Sequence, residues 1–196
     1  MAKRIFDILF SIVMLLLLSP LLLLIALVVL LDSRGGIFFG QIRVGKQGKH
    51  FRLWKFRTMK VNAESSGQLT VGSRDNRITR SGYYLRKLKV DELPQLWNVL
   101  VGEMSIVGPR PEVPRYVALY DKEQQNVLSI RPGITDYASL LYFTESDLLA
   151  SSADPEKTYI DEIMPAKLAL NLEYLRTMSF WGDVKIILLT ARRILR

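Results

Sequence analysis

Apolar residues run almost unbroken from 5 to 31, interrupted by Ser19-Pro20 and flanked by basic residues on both sides. As one straight helix this stretch would be about 40 Å long, enough for a hydrocarbon core of about 30 Å. Pro20, however, removes the amide that would bond to the carbonyl of Leu16, and its ring crowds that carbonyl, so a kink is predicted there. Lys3 and Arg4 precede the segment while Arg34, Arg43, Lys46 and Lys49 follow it, so basic residues give no inside-outside vote. Two arrangements fit: a kinked spanning helix, or a hairpin that dips into one leaflet, bends at Ser19-Pro20 and returns to the same face. In the second, the Ser19 hydroxyl is expected to bond to the carbonyl of Leu15. A signal peptide fits poorly, because the stretch is long and no small-x-small cleavage site follows it.

Beyond Gly35-Gly36, the alternation of residues predicts two short strands, 37–39 and 50–56, around a turn at Gly45 to Gly48. Trp54 and Phe56 suit a boundary between apolar chains and headgroups. Residues 62–76 are polar and aperiodic, a loop. Helices are expected over residues 81–88 and 91–100, the latter with Asp91 as N-cap, Pro94 in its first turn, and Leu93, Leu96, Trp97 and Leu100 on one face. Pro109, Pro111 and Pro114 stiffen a loop, residues 113–126 read as helical, and Arg131-Pro132-Gly133 marks a tight turn. Asp154-Pro155 starts a late helix, and Pro165 starts or kinks another that ends near Met178. Ser179 is the expected cap of a last helix with Phe180, Val184, Ile187, Leu188, Ala191 and Leu195 on one side and Lys185, Arg192, Arg193 and Arg196 supplying charge. That pattern fits an interfacial helix and an ordinary packing helix equally. No repeat or heptad is present.

About 165 residues remain after Leu31, enough for one compact domain. The chain has no cysteine, which excludes disulfides and thiolate chemistry. Its formal charge is +8, unevenly spread: residues 34–89 hold fourteen Lys or Arg against two acids, and residues 91–162 hold thirteen acids against five bases. The basic half therefore suits anions, whether lipid headgroups or phosphorylated substrates. Nucleic acid is the rival partner, yet neither zinc-ligand spacing nor a recognition-helix motif supports it.

Adjacent Asp91 and Glu92 at a helix start, after Arg86, Lys87 and Lys89, form the candidate centre, the positive surroundings keeping both ionised. An ionised Asp can attack phosphorus, and a neighbouring Glu can hold a hard divalent cation. Acids are also common in first turns for purely structural reasons. Arg110 and Arg131 sit on proline-restrained loops, suited to bidentate phosphate binding or, equally, to satisfying turn carbonyls. His50 is the sole histidine, so no histidine cluster or triad can be built, and a strand-edge position is expected for it. Gly45 and Gly48 lack the Gly-Lys-Ser/Thr ending of a phosphate loop.

The segments Lys3-Arg4-Ile5-Phe6-Asp7, Ser19-Pro20, Lys55-Phe56-Arg57-Thr58-Met59, Asp91-Glu92-Leu93-Pro94-Gln95-Leu96-Trp97-Asn98, Gly102-Glu103-Met104-Ser105, Gly108-Pro109-Arg110-Pro111 and Arg131-Pro132-Gly133-Ile134-Thr135 together resemble the bacterial sugar transferase family, in its minimal single-domain form. These are monotopic phosphoglycosyl transferases. The resemblance implies a mostly helical α+β fold: a re-entrant membrane helix hairpin over residues 1–33 turning at Ser19 and Pro20, then a catalytic domain over residues 34–196 with a short β-hairpin and amphipathic interfacial helices. It implies that Asp91 attacks the β-phosphorus of a UDP-sugar, releases UMP and forms a covalent phosphosugar intermediate, which polyprenyl (undecaprenyl) phosphate then takes up. Glu92, with Asp91, would hold Mg²⁺. Arg57, Arg86, Arg110, Arg131 and Asp183 would contact substrate or phosphate. The implied setting is the cytoplasmic face of a bacterial inner membrane, against anionic phospholipid, with no nucleic-acid partner and with a homodimer compatible. The alternative is a membrane-anchored basic binding module without catalysis. Two departures from the family pattern stand out: Asp136 to Phe143 replace a Gly-Trp-Ala-Gln-Val-Asn-Gly-Arg run, and Asn171 stands where members often carry Asp.

Overall fold

The computed structural model describes residues 2–63, 69–72 and 75–194. The fold is mostly helical, with two small two-stranded sheets, in agreement with the α+β expectation. Parts of the expected loop over residues 62–76, namely 64–68 and 73–74, lie outside the described residues, as do Leu195 and Arg196.

Helices α1 (Ala2–Leu17) and α2 (Ser19–Asp32) are bent by 64° where they meet. At about 1.5 Å per residue they are about 24 and 21 Å long, each short of a hydrocarbon core of about 30 Å. Among the described residues no single helix is long and apolar enough to cross a membrane, while the bent pair passes on length and composition. Pro20 lies in the first turn of α2, where its missing amide is not needed. The carbonyl that it orphans, Leu16, accepts a hydrogen bond of 2.8 Å from Ser19 Oγ. The partner is thus Leu16 rather than Leu15, because Leu16 is the residue deprived of its donor.

Leu9, Val13, Leu16, Leu17, Leu23, Leu24 and Leu27 are all exposed, an apolar surface far larger than scattered surface residues produce. The side of α1 facing the rest of the molecule packs Phe10, Met14 and Leu15 on the core and carries polar anchors at its start. Asp7 accepts from Ser105 Oγ and the Ile106 amide, and Arg4 donates to the carbonyls of Val99 and Leu100.

Strand β1 (Phe38–Val44) pairs antiparallel with β2 (His50–Phe56), from Phe38 opposite Phe56 to Val44 opposite His50, across a 3-10 turn at Lys46–Gly48. The first strand outruns its predicted end at residue 39 because backbone pairing tolerates Gly40, Gln41 and Arg43, which break the apolar pattern. His50 is exposed, as expected. Phe56 is buried with Ile25, Val29 and Leu85 under α2, so it sits in a core and not at a headgroup boundary.

After α3 (Arg80–Lys87), capped by Thr79, comes a 3-10 turn at Val90–Glu92 and then α4 (Gln95–Val101). Asp91 therefore does not cap α4; Pro94 holds that place. The expected face is buried in part: Leu96 is in the core and Leu93 packs against it, but Trp97 is 56% exposed, while Gln95, Asn98 and Val99 are buried. The reason is polar. Asn98 accepts from the Trp54 amide and donates to the Arg52 carbonyl, fastening α4 to β2.

Parallel strands β3 (Ser105–Val107) and β4 (Gly133–Thr135) flank a close backbone crossing at Gly108 and Gly133. A Cβ on Gly133 would lie 2.1 Å from the Gly108 nitrogen, so only glycine permits it. Helix α5 (Pro114–Val117) is short, and the helix expected over residues 113–126 is interrupted: Asp121 and Gln124 bond to each other's amides and restart the chain as a 3-10 turn, Gln124–Ser129.

Helices α6 (Tyr137–Leu141), α7 (Glu145–Ala150) and α8 (Pro155–Thr158) lead through a π-helical turn, Tyr159–Ile163, into α9 (Met164–Thr177). Asp154 caps α8, and Pro165 occupies the first turn of α9. Ser179 Oγ accepts from the Gly182 amide ahead of α10 (Phe180–Ile194), which buries Ile186 and Asp183 and leaves Trp181 78% exposed. Two main cores result. One joins β2, α4, β3 and α10 around Leu53, Val99, Met104 and Ile186; the other gathers Tyr116, Tyr120, Leu149, Tyr159 and Leu168.

Candidate active site

A cavity of about 510 Å³ is lined by residues of both cores, within the ordinary range for small-molecule sites. Asp91, Glu92, Lys55, Lys89, Arg86 and Arg110 converge on it. The turn that presents the two acids starts from Lys89 in a left-handed conformation (φ 56°), a backbone cost met by the surrounding fold. Lys55 arrives on the same side of β2 as buried Phe51 and Leu53, and the Asn98 fastening of α4 brings that strand to Glu92.

Glu92 is held by two cations. Lys55 Nζ donates to Oε1 at 2.8 Å, and the Arg110 guanidinium straddles both carboxylate oxygens, with Nη1 3.2 Å from Oε2. Burial would raise the Glu92 carboxyl, but Arg110 and Lys55 outweigh it and hold Glu92 well below the usual carboxylate range. Arg110 in return is held in its charged form, chiefly by Glu92. Burial pushes the ammonium groups of Lys55 and Lys89 down, against the attraction of Glu92.

Asp91 behaves differently. Burial pushes its carboxyl up, opposed by Lys55 and reinforced by Glu92, and its Oδ1 has no hydrogen-bond partner. Asp91 lies in a one-turn 3-10 segment inside the protein and not at the start of α4, so no helix start depresses its carboxyl and desolvation raises it. An acid that is more basic than usual, buried and unpartnered, among four cations, is what a nucleophile aimed at a phosphate requires.

Arg86 lines the cavity, with Nη2 3.0 Å from Thr70 Oγ1. Arg57, Arg131 and Asp183 do not line it. Arg57 is buried and donates to the carbonyls of Val29, Ser33 and Arg34, so it neutralises the C-terminal end of α2. Arg131 Nε donates to the Gly102 carbonyl at 2.7 Å, the turn-satisfying role. Asp183 accepts from Lys3 Nζ and, at 2.6 Å, from the Tyr174 hydroxyl, tying the start of α1 to α9 and α10. Arg57 and Asp183 direct their charge at partners inside the protein, while Arg131 commits only its Nε and lies away from the cavity lining.

Two residues passed over in the sequence belong here. Lys55 was hidden because a lone lysine in an apolar strand reads as an edge residue; its alternation with Leu53 was the available signal. Asp136, fully buried, accepts from the Arg110 amide at 3.1 Å and from the Ser139 amide at 2.6 Å, so it fixes the arginine loop while capping α6. Asn171 also lines the cavity.

Among the described residues no three His, Asp or Glu side chains gather into a metal site. Asp91 and Glu92 are the carboxylates at hand for Mg²⁺, which binds one or two carboxylates and completes its shell with water and substrate phosphate; Asp91 Oδ1 is unpartnered, whereas both Glu92 oxygens already accept from Arg110, so Glu92 would have to exchange a cation for the metal.

The chain is 40% identical over 198 residues to an undecaprenyl-phosphate glucose phosphotransferase of Komagataeibacter xylinus, an alignment covering 97% of this chain and 35% of that protein. It is 39% identical over 196 residues to a UDP-N-acetylgalactosamine-undecaprenyl-phosphate N-acetylgalactosaminephosphotransferase of Aeromonas hydrophila, covering 98% and 43%. The chain thus spans less than half the length of these relatives. An uncharacterized sugar transferase of Bacillus subtilis, EpsL, is 38% identical over 193 residues, covering 98% of this chain and 87% of that protein. The family model for bacterial sugar transferases matches residues 1–196, and the chain belongs to that family.

Proposed function

We propose that this protein transfers a phosphosugar from a UDP-sugar to polyprenyl phosphate. The observation that carries the proposal is the buried, unpartnered Asp91 carboxylate oxygen in a cavity lined by Lys55, Arg86, Lys89 and Arg110. An Asp91 oxygen attacks the β-phosphorus, the bond from that phosphorus to the bridging oxygen breaks, and UMP leaves with the electron pair. An oxygen of the polyprenyl phosphate then attacks the same phosphorus, the bond to Asp91 breaks, and the carboxylate is restored as the polyprenyl-diphospho-sugar departs. One cationic centre can serve two anionic substrates because the covalent route admits them in turn. Arg86, Lys89 and Lys55 orient the phosphates and offset their mutual repulsion; Arg110 holds Glu92 in place. Mg²⁺, held by Asp91 and Glu92, would add positive charge to the diphosphate.

The bent helix pair supports a membrane setting for this reading. Residues 1–33 form a re-entrant membrane segment bent at Ser19-Pro20, and residues 34–196 form the catalytic domain on the cytoplasmic face of the inner membrane, its basic half against anionic headgroups. The bent, externally apolar pair α1 and α2 supports this, since each helix is too short to cross and both are fastened at their far ends to one body.

Intact-mass analysis after incubation with UDP-sugars and no lipid tests the reaction. The wild type gains the mass of a phosphosugar and releases UMP, and Asp91→Asn does neither. Turnover by Asp91→Asn, or an adduct on it, would reject the assignment.

A further inference from the structure

The cations that line the cavity differ in how far they are already engaged. Lys55 and Arg110 bond to Glu92, Arg43 pairs with Glu112, Lys167 pairs with Glu145, and Arg86 donates to Thr70 Oγ1. Lys89 is the exception. Among the described residues no hydrogen bond or ion pair holds its ammonium, and its contact is the ring of Phe143, with Nζ 5.1 Å from the centroid. Phe143 lines the cavity from the short connection between α6 and α7 and is half-buried there. Arg193 of α10, an exposed residue, has its guanidinium 5.2 Å from the same centroid, so one ring faces two cations.

A ring and a carboxylate hold a cation in different ways. A carboxylate takes up N–H donors and cancels the charge, so an incoming phosphate must displace it. The face of an aromatic ring attracts an ammonium through its quadrupole, leaves the charge uncancelled and leaves the donors turned away from it available. We propose that Phe143 is a positioning residue, which holds the Lys89 ammonium at the cavity with its charge unspent, ready for a phosphate group of the substrate. The proposal rests on the transferase reading above. Lys89 stands in a left-handed conformation two residues before Asp91, and the ring restricts a long side chain that would otherwise sample many rotamers. Less freedom is then lost when the phosphate arrives.

Affinity for magnesium pyrophosphate, measured by calorimetry, reads this effect without sugar or turnover. Phe143→Leu keeps apolar bulk but has no ring, and should bind about fivefold more weakly than wild type, with Phe143→Tyr within about twofold of it. Trifluorophenylalanine at position 143 keeps the shape and strips the ring face of its negative potential, so it should weaken binding as Leu does, and it preserves the comparison should Phe143→Leu unfold. The loss must run through Lys89. In a Lys89→Met background Phe143→Leu should cost nothing further, a result that a purely structural role of the ring would not give. Wild-type affinity in either variant, an equal loss with and without Lys89, or no pyrophosphate binding by the wild type overturns the proposal. The transferase reading fails on a separate result, the absence of UMP release with every UDP-sugar, which leaves the pyrophosphate comparison standing.

Discussion

At the scale of single residues, the two neighbouring acids are driven apart in opposite directions by their partners. In metal-free protein the Asp91 carboxyl carbon should titrate above the ordinary 3.8 and that of Glu92 below 4.5, readable by carbon NMR with labelled Asp and Glu. The linkage signs are opposite. Asp91 contributes stability that is complete below pH 3.8 and lost as pH rises through its raised folded value; Glu92 contributes stability present above pH 4.5 and lost as pH falls through its depressed value. Glu92→Gln removes the like charge beside Asp91 and frees Lys55 and Arg110 to face it, so the Asp91 titration moves to lower pH. An upward movement would mean that Glu92 does not act on Asp91 electrostatically. Lys55→Met leaves Arg110 on Glu92 but deletes the cation that most stabilises ionised Asp91; adduct formation should slow by about 10²-fold or more.

At the scale of elements, Arg57 and Arg110 are both arginines of motif segments, yet the fold uses them for different ends. Arg57→Ala strands three carbonyls at the C-terminal end of α2 and should cost about 2–4 kcal/mol in urea unfolding, with Arg57→Lys recovering only part, since an ammonium cannot spread over three acceptors as a planar guanidinium does. The folded fraction of Arg57→Ala should keep donor and acceptor KM within about twofold of wild type, whereas Arg110→Ala should lose at least about 10²-fold in kcat/KM. A KM defect in folded Arg57→Ala would return Arg57 to the phosphate site. Nothing in residues 55–59 distinguishes these fates, because they depend on where the last turn of α2 lies relative to the end of β2.

At the scale of the whole molecule, the bent pair α1 and α2 is set by its bend and by what grips its ends. Lys3, Arg4 and Asp7 fasten the entry to β3, α4 and α10, while Arg57 and the Asp32 bond to Ser81 fasten the exit. In a chain without cysteine, Ala2→Cys and Lys157→Cys should both be protected from a membrane-impermeant thiol reagent in intact cells and react once the membrane is opened. Labelling of Ala2→Cys alone from outside would establish a spanning helix. Pro20→Leu restores the amide that α1 lacks and should move a fraction of molecules toward that spanning form. No movement would assign the topology to the end contacts alone.

What the sequence determined by itself is whatever depends on local chemistry. The break at Ser19-Pro20 follows from a missing amide, the α+β content from periodicity and turn residues, the start of α8 from Asp154-Pro155, and the pairing of two acids with nearby bases from adjacency in the chain. Only the tertiary structure decided which charges are spent. Arg57, Arg131 and Asp183 carry the same side-chain chemistry as residues of the site, but buried carbonyls, the Tyr174 hydroxyl and Lys3 claim them first. Lys55 and Asp136 enter the site through contacts 37 and 26 residues away along the chain. The rise of the Asp91 carboxyl has the same origin: it measures how much water the packed body excludes, a quantity that no segment possesses until the others close around it.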